Sequence, residues 1–250
     1  MSAVQIICFF YNEETLARFF VQHYAWADEI LAVVSCSTDR TREVLEAAPN
    51  VRIRDFEFSA GMDDQIKTDT VNALLTEPSR FDWKIVVDAD EFIWPQGGLS
   101  PERYFASVPQ SVTVLEARMR NVFRHHSESD LDINKPPVLQ RRFGDPDFNS
   151  MENIGYQKPI IIRSGCGVLL GLGNHTQTQG VFDHSFWFDG THWQNADPSF
   201  AVLRRTRDRR DRQSERNLQH GYGVQNHCVT EEQILKFCES RRNCPEIIYA

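Results

Sequence analysis

The chain has no long hydrophobic run. None of its apolar stretches approaches the roughly 20 residues needed to cross a bilayer. Runs such as Ile160-Ile161-Ile162 and Val168-Leu169-Leu170 are broken by Arg163 and by glycines, which argues against a helical membrane span. A basic leader with a cleavage site is also missing: the apolar start runs straight into Asn12-Glu13-Glu14, which predicts a cytoplasmic chain. There is no C-x-x-C pair and no zinc-ligand spacing. Cys8, Cys36, Cys166, Cys228, Cys238 and Cys244 are scattered, and reduced thiols are expected. Positive charge is not in surplus either. The 27 Lys+Arg against 35 Asp+Glu leave a net charge of −8, which together with the lack of a nucleic-acid motif argues against nucleic acid as a partner. Internal repeats and low-complexity linkers are absent. What remains is ordinary globular composition, 41% hydrophobic and 25% charged over 250 residues. A chain of that length suits one large domain or two small ones and buries roughly three quarters of its unfolded surface.

The first ninety residues alternate short β-rich runs with segments of helical spacing, the pattern of an α/β fold with a mainly parallel central sheet flanked by helices. Strands are predicted over 4–10, 29–34, 51–56 and 83–87, and helices over 14–26, 41–48 and 62–75. The first helix carries Leu16, Phe19, Phe20 and Tyr24 on one face and acidic Glu13 and Glu14 at its positive end. Beyond Pro95 the pattern loosens. Strands are expected at 112–118, 159–163 and 168–172, a polar loop over 124–147, an arginine-rich helix from Asp197-Pro198 to about Leu218, and a last helix opened by the capping box Thr230-Glu231-Glu232-Gln233.

The fourth strand stops at Asp88-Ala89-Asp90-Glu91. In extended conformation Asp88 and Asp90 leave the same face, so both carboxylates can share one ion. Open parallel sheets bind ligands at the carboxyl ends of their strands, and oxygen ligands suit Mg²⁺ or Mn²⁺ carried on a diphosphate. A solvated acidic turn is the competing reading of an isolated Asp-x-Asp.

Three matches occur in order: Phe9-Phe10-Tyr11-Asn12-Glu13-Glu14, then Ser37-Thr38-Asp39-Arg40-Thr41, then Asp82-Trp83 through Asp88-Ala89-Asp90-Glu91-Phe92. Together they resemble a family-2-like glycosyltransferase of the bacterial subgroup whose acidic motif reads Asp-Ala-Asp-Glu-Phe, well over 1–95 and more weakly over 150–180. The resemblance implies a GT-A, Rossmann-like fold with a C-terminal acceptor-side region. It further implies a nucleotide-diphosphate sugar donor, UDP- or GDP-linked, and Mn²⁺ or Mg²⁺. Residues 1–95 would form the nucleotide-sugar half, and 96–250 the acceptor-binding, metal-completing half of one domain. Tyr11, Asn12 and Glu13 would lie near the base or ribose, with Asp88 and Ala89 beside the donor and Asp88 and Asp90 on the metal. Asp39 either contacts the donor or caps the next helix. Lys67 and Asp69 sit where donor-contacting groups are often placed, or are surface charges; Lys158 would be a diphosphate contact or a plain salt bridge, and His175, after two glycines, would complete the metal or be structural. The sequence departs from the family pattern where a nucleoside-contacting acid is usual, holding Val34-Ser35-Cys36 instead.

Inverting transfer needs a carboxylate to take the acceptor proton. Glu152 ranks first and Asp183 second, with Asp145 and Asp147 also in range. The aromatic stretch 182–193 reads as core or as a sugar platform. The seven arginines of 204–216 face Asp208, Asp211 and Glu215, leaving +4 on one helix. That helix is read as a solvated face, a diphosphate contact or a peripheral contact with the inner membrane face. The acceptor would be a glycan, lipid-linked or small-molecule hydroxyl. A catalytically silent nucleotide- or glycan-binding domain is the alternative. A sugar-phosphate nucleotidyltransferase is disfavoured because Phe10-Tyr11-Asn12-Glu13-Glu14 holds no glycine for a phosphate loop.

Overall fold

In the computed structural model the described residues are 2–58, 60–145, 157–222 and 229–247. Eight strands form one sheet: β1 (Val4–Phe10), β2 (Glu29–Val34), β3 (Val51–Asp55), β4 (Trp83–Val86), β5 (Glu91–Pro95), β6 (Val114–Asn121), β7 (Gln157–Arg163) and β8 (Trp187–His192), in the order β3-β2-β1-β4-β7-β6-β8-β5. The first four are mutually parallel. The far half is mixed: β4/β7, β7/β6 and β8/β5 are antiparallel and β6/β8 parallel. The expected α/β class is present, with the first ninety residues supplying the run of four mutually parallel strands and one further parallel pair, β6/β8, in the mixed half.

Seven α-helices are described: α1 (Glu14–His23), α2 (Thr41–Glu46), α3 (Asp64–Thr76), α4 (Pro101–Ser107), α5 (Pro198–Leu203), α6 (Glu215–His220) and α7 (Glu231–Ser240). β1 is buried on both faces because both its edges are paired and helices cover both sides. Ile6, Cys8 and Phe10 pack with Ala17 and Phe20 of α1 and with Tyr24 just after it, while Ile7 packs with Val71, Leu74 and Leu75 of α3. No described helix is long and apolar enough to cross a membrane. Cys8, Cys36, Cys166, Cys238 and Cys244 are unbridged, as expected.

Three expectations are corrected. Residues 168–172 are not a strand: apart from an isolated bridge between Leu170 and Gln177, the backbone of Leu170 is satisfied by the side chain of Asn72 on α3 (2.8 and 2.9 Å). The arginine-rich segment is not one helix. α5 gives way to a π-helical turn at Arg204–Arg209 and a 3₁₀ turn at Arg210–Arg212, and α6 starts anew with Ser214 as its N-cap. Residues 182–193 supply a strand, β8, inside the far half of the sheet, which the aromatic reading left out.

Candidate functional site

In the strand order 3-2-1-4, the crevice forms at the carboxyl ends of β1 and β4, and there the loops after β1, β2 and β4 meet. The first two loops are stitched together. Asn12 takes a left-handed backbone (φ 50°), its amide donates to Ser37 Oγ (3.1 Å) and its Oδ1 accepts from the Thr38 amide (2.8 Å). The Glu13 amide donates to Thr41 Oγ1 at 2.7 Å. Asp39 accepts from the amides of Thr41 and Glu14, both at 3.0 Å, so it ties the starts of α1 and α2. Asn12 and Asp39 thus have structural duties, whereas Tyr11 and Glu13 line the crevice.

After Val87 the chain turns, with the Glu91 amide donating to the Asp88 carbonyl at 3.0 Å. Asp88 and Asp90 therefore do not leave an extended strand side by side. Asp88 accepts from Lys67 Nζ at 2.6 Å and faces Lys158 Nζ at 3.4 Å, and Lys158 also holds the buried Glu91. Asp90 is fully buried. One of its oxygens takes the Arg204 guanidinium, with His192 Nε2 at 3.3 Å and Arg209 at 3.9 Å. Arg204 Nε reaches Glu13 Oε1 at 2.9 Å, and His192 Nδ1 lies 2.8 Å from Asn121 Oδ1.

Burial pushes every carboxyl here up, and the neighbours decide the outcome. For Asp88 the Lys67 and Lys158 ammoniums outweigh burial and hold the group far below the usual carboxylate range. For Asp90, Arg204 and His192 do the same. Glu91 stays raised, because burial exceeds the pull of Lys158. Asp64, at the start of α3, is raised by burial despite Lys67 and Arg209.

Two chambers share Met62, Lys67, Asp88 and Arg209 as their common wall. The first is lined by Phe9, Phe10, Tyr11, Glu13, Ser35, Phe58, Ala89, Arg204 and Arg212. Arg212 lies over the Tyr11 ring, 3.1 Å from its centroid. Ser35 Oγ, at the end of β2, is buried without a hydrogen-bond partner. The second chamber adds Asp64, Lys158, His175, His192, Gln194 and Tyr222.

Of the candidate residues, the structure gathers Tyr11, Glu13, Lys67, Asp88, Ala89, Lys158 and His175 around these chambers, with Asp90 beneath them. Asp69 pairs instead with Gln65 on α3, and Asp183 accepts from the Ser185 amide in a turn outside both chambers. Asp145 is buried with Arg241 3.8 Å away. Glu152 and Asp147 lie outside the described residues. Sequence reasoning did not single out His192, Asp64 or, individually, Arg204. Only the sheet order puts β8 beside Asp90, and nothing local to His192 announces it.

Among the described residues no three His, Cys, Asp or Glu side chains converge to hold an ion alone. Asp90 Oδ1, however, is buried without a hydrogen-bond partner. Mg²⁺ and Mn²⁺ commonly take one or two protein carboxylates and fill the rest of their shell with water and substrate phosphates. That orphaned oxygen is a donor of the kind such an ion takes beside a diphosphate, with Asp88 on the wall of both chambers and His175 and His192 on the wall of the second.

No protein-family model and no curated protein matches the sequence. Among solved structures the chain is similar to glucosyl-3-phosphoglycerate synthase from Mycobacterium tuberculosis in complex with Mn²⁺, UDP and phosphoglyceric acid. That likeness has 14% identity and a TM-score of 0.34, over 46% of this chain and 43% of the other. The same enzyme with Mg²⁺ and UDP aligns at 14% identity and TM-score 0.33, with the same coverage. A mycobacterial protein aligns at 18% identity and TM-score 0.34, over 48% of this chain and 41% of the other. The chain therefore matches less than half the length of these structures.

Proposed function

We propose that this chain is a metal-dependent glycosyltransferase of GT-A type, transferring a sugar with inversion from a UDP- or GDP-linked donor to a hydroxyl of a glycan, lipid-linked or small-molecule acceptor. The observation that carries the reading is the pair of chambers meeting at Asp88 and Lys67. One offers aromatic faces and guanidiniums, suited to a nucleoside and its diphosphate, and the other offers polar groups, suited to sugar and acceptor hydroxyls. Ser35 supplies a hydroxyl where the resembled family carries an acid, and its unpartnered Oγ lines the nucleoside side.

Asp88 and Asp90 would hold the ion, which neutralises charge on the departing diphosphate. Lys67, Arg209 and Arg204 stand ready to stabilise the same charge. The acceptor hydroxyl must lose its proton as the new bond forms. Glu152 is the first choice of base from the sequence. Asp64 is the carboxylate that lines the second chamber beside Asp88 without being held by two lysines. Peripheral contact with a membrane rests on outward-facing arginines such as Arg207 and Arg216, because Arg204, Arg209 and Arg212 line the first chamber.

Calorimetric titration of UDP, GDP and their sugar conjugates, each with Mn²⁺ and with EDTA, tests the proposal. One nucleotide is expected to bind only with metal, and Asp90→Asn should abolish that binding while leaving the thermal transition cooperative. A panel without any metal-dependent binder overturns the reading. Metal-dependent binding without transfer or hydrolysis of the donor would instead establish the silent-domain alternative, for which the guanidinium on Asp90 is the structural motive.

A further inference from the structure

Arg204 does something that a surface arginine cannot. It begins a π-helical turn directly after α5, is buried, and spans two carboxylates far away in sequence, Glu13 and Asp90. α5 itself is fixed, since Ala201 packs with Ile234 and Cys238 of α7. π-turns concentrate at functional positions. Beside Glu13 lies a further cavity, lined by Asn12, Glu14, Leu16, Phe200 and Arg204 itself, and Arg204 and Glu13 also line the first chamber, where the donor diphosphate would sit. Asp90 needs a cation at all times, because a buried carboxylate stripped of its partner is strongly destabilising. A guanidinium and a divalent ion cannot both sit on one carboxylate without repelling each other.

We propose, on the basis of the metal-dependent reading above, that Arg204 is a resident counter-cation of Asp90 that exchanges with the divalent ion. It holds the carboxylate while the site is empty, and moves off Asp90 toward the donor diphosphate, still anchored to Glu13, when the ion–donor complex enters. Arg204 is then a positioning residue that makes metal and nucleotide bind together rather than separately. The nucleotide diphosphate draws the guanidinium's charge away from the ion on Asp90, so each ligand raises the affinity for the other.

The test is Mn²⁺ binding without nucleotide, read from the electron paramagnetic resonance signal of free Mn²⁺, in wild type, Arg204→Met and Arg204→Lys, then repeated with UDP and with GDP. Arg204→Met should bind Mn²⁺ at least tenfold tighter than wild type in the absence of nucleotide, and the enhancement of Mn²⁺ affinity by nucleotide should shrink by a similar factor. A purely structural arginine would give the opposite sign. Mn²⁺ affinity equal to or weaker than wild type overturns the proposal. Should Arg204→Met be unfolded in EDTA but folded with Mn²⁺, the exchange is supported. Should it be unfolded in both, Arg204→Lys decides, with at least threefold tighter Mn²⁺ binding expected and no gain overturning it. Asp90→Asn separates the two readings. Unchanged Mn²⁺ binding in that variant removes Asp90 as ligand and both readings with it. Lost binding there, alongside no gain in the Arg204 variants, removes the exchange alone.

Discussion

Asp64 and Asp88 face the same chamber with opposite tendencies, and that contrast can be tested. Two ammoniums keep Asp88 ionised, whereas burial makes the Asp64 carboxyl easier to protonate, as a proton acceptor requires. Asp64→Asn and Glu152→Gln should therefore be compared directly. The variant that removes the base should lower transfer by a factor on the order of 10²–10⁴ while donor affinity stays near wild type. Full transfer in both would mean that neither carboxylate is the base. A second prediction concerns His23, half-buried among Tyr24, Phe92 and Trp94, with Nε2 2.9 Å from the Ile93 carbonyl. Burial lowers its pKa from 6.5 to about 4, only partly offset by that carbonyl. Between those values the unfolded chain binds a proton that the folded chain refuses. Stability is unaffected above pH 6.5 and falls as pH drops toward 4, by at most about 1.4 kcal/mol per pH unit from this group. Urea denaturation at pH 7, 5.5 and 4.5 should show a shallower decline in His23→Gln; parallel declines would refute the assignment.

The arginine segment owes its place to the start of α3 rather than to its own helical propensity. The Met62 amide donates to the Arg212 carbonyl at 2.6 Å, the Ser214 amide donates to the Met62 carbonyl at 2.8 Å, and buried Asn217 brackets Asp64 at 3.0 and 3.1 Å. Gly61 permits this approach: its φ is +86°, and a Cβ there would stand 2.7 Å from the Arg212 carbonyl oxygen. Gly61→Ala should cost about 1–3 kcal/mol of stability and weaken donor binding at least tenfold by shifting Arg204, Arg209 and Arg212. Denaturation and calorimetric titration read the two effects separately, and unchanged donor affinity would detach the segment from the site. The same segment explains what the sequence could not disclose. Seven arginines with interspersed acids read as a solvated helix, because the partners that bury Arg204 lie 114 and 191 residues away. β1, β2 and β4 were legible for the opposite reason, since strands covered on both faces read as apolar runs, and edge strand β3 was legible from its alternation of Val51 and Ile53 with Arg52 and Arg54. Trp187-Phe188-Asp189-Gly190-Thr191-His192 has no such signature, so β8 and its His192 were missed. Val168-Leu169-Leu170 carries the apolar signature without the pairing, since Asn72 takes the place of a neighbouring strand.

At the scale of the whole molecule, the acidic motif is where the two parts of the sheet depend on each other. β4 pairs on one side with β1 and on the other with β7, through Trp83, Lys84 and Ile85 against Arg163, Ile162 and Ile161. β5 follows at once and pairs with β8. Trp83 packs on Phe105 and under the Arg163 guanidinium, and Phe92 packs on Trp193. Residues 1–95 expressed alone would keep β1 but lose β7, β8, Phe105, Arg163 and Trp193, and expose the edge of a fully buried strand. Their Asp90 would lose both Arg204 and His192. Removing one partner from a buried ion pair costs about 3–5 kcal/mol, a large share of the roughly 5–15 kcal/mol that holds a domain folded. The fragment should therefore show no cooperative thermal transition and no metal-dependent nucleotide binding, although all three of the ordered motifs that carry the sequence resemblance are present in it. Calorimetry and amide spectra of the fragment provide the measurement. A well-dispersed spectrum with metal-dependent nucleotide binding would instead mean that the nucleotide half is autonomous, and that Arg204 and His192 adjust a carboxylate which the first ninety-five residues can already hold.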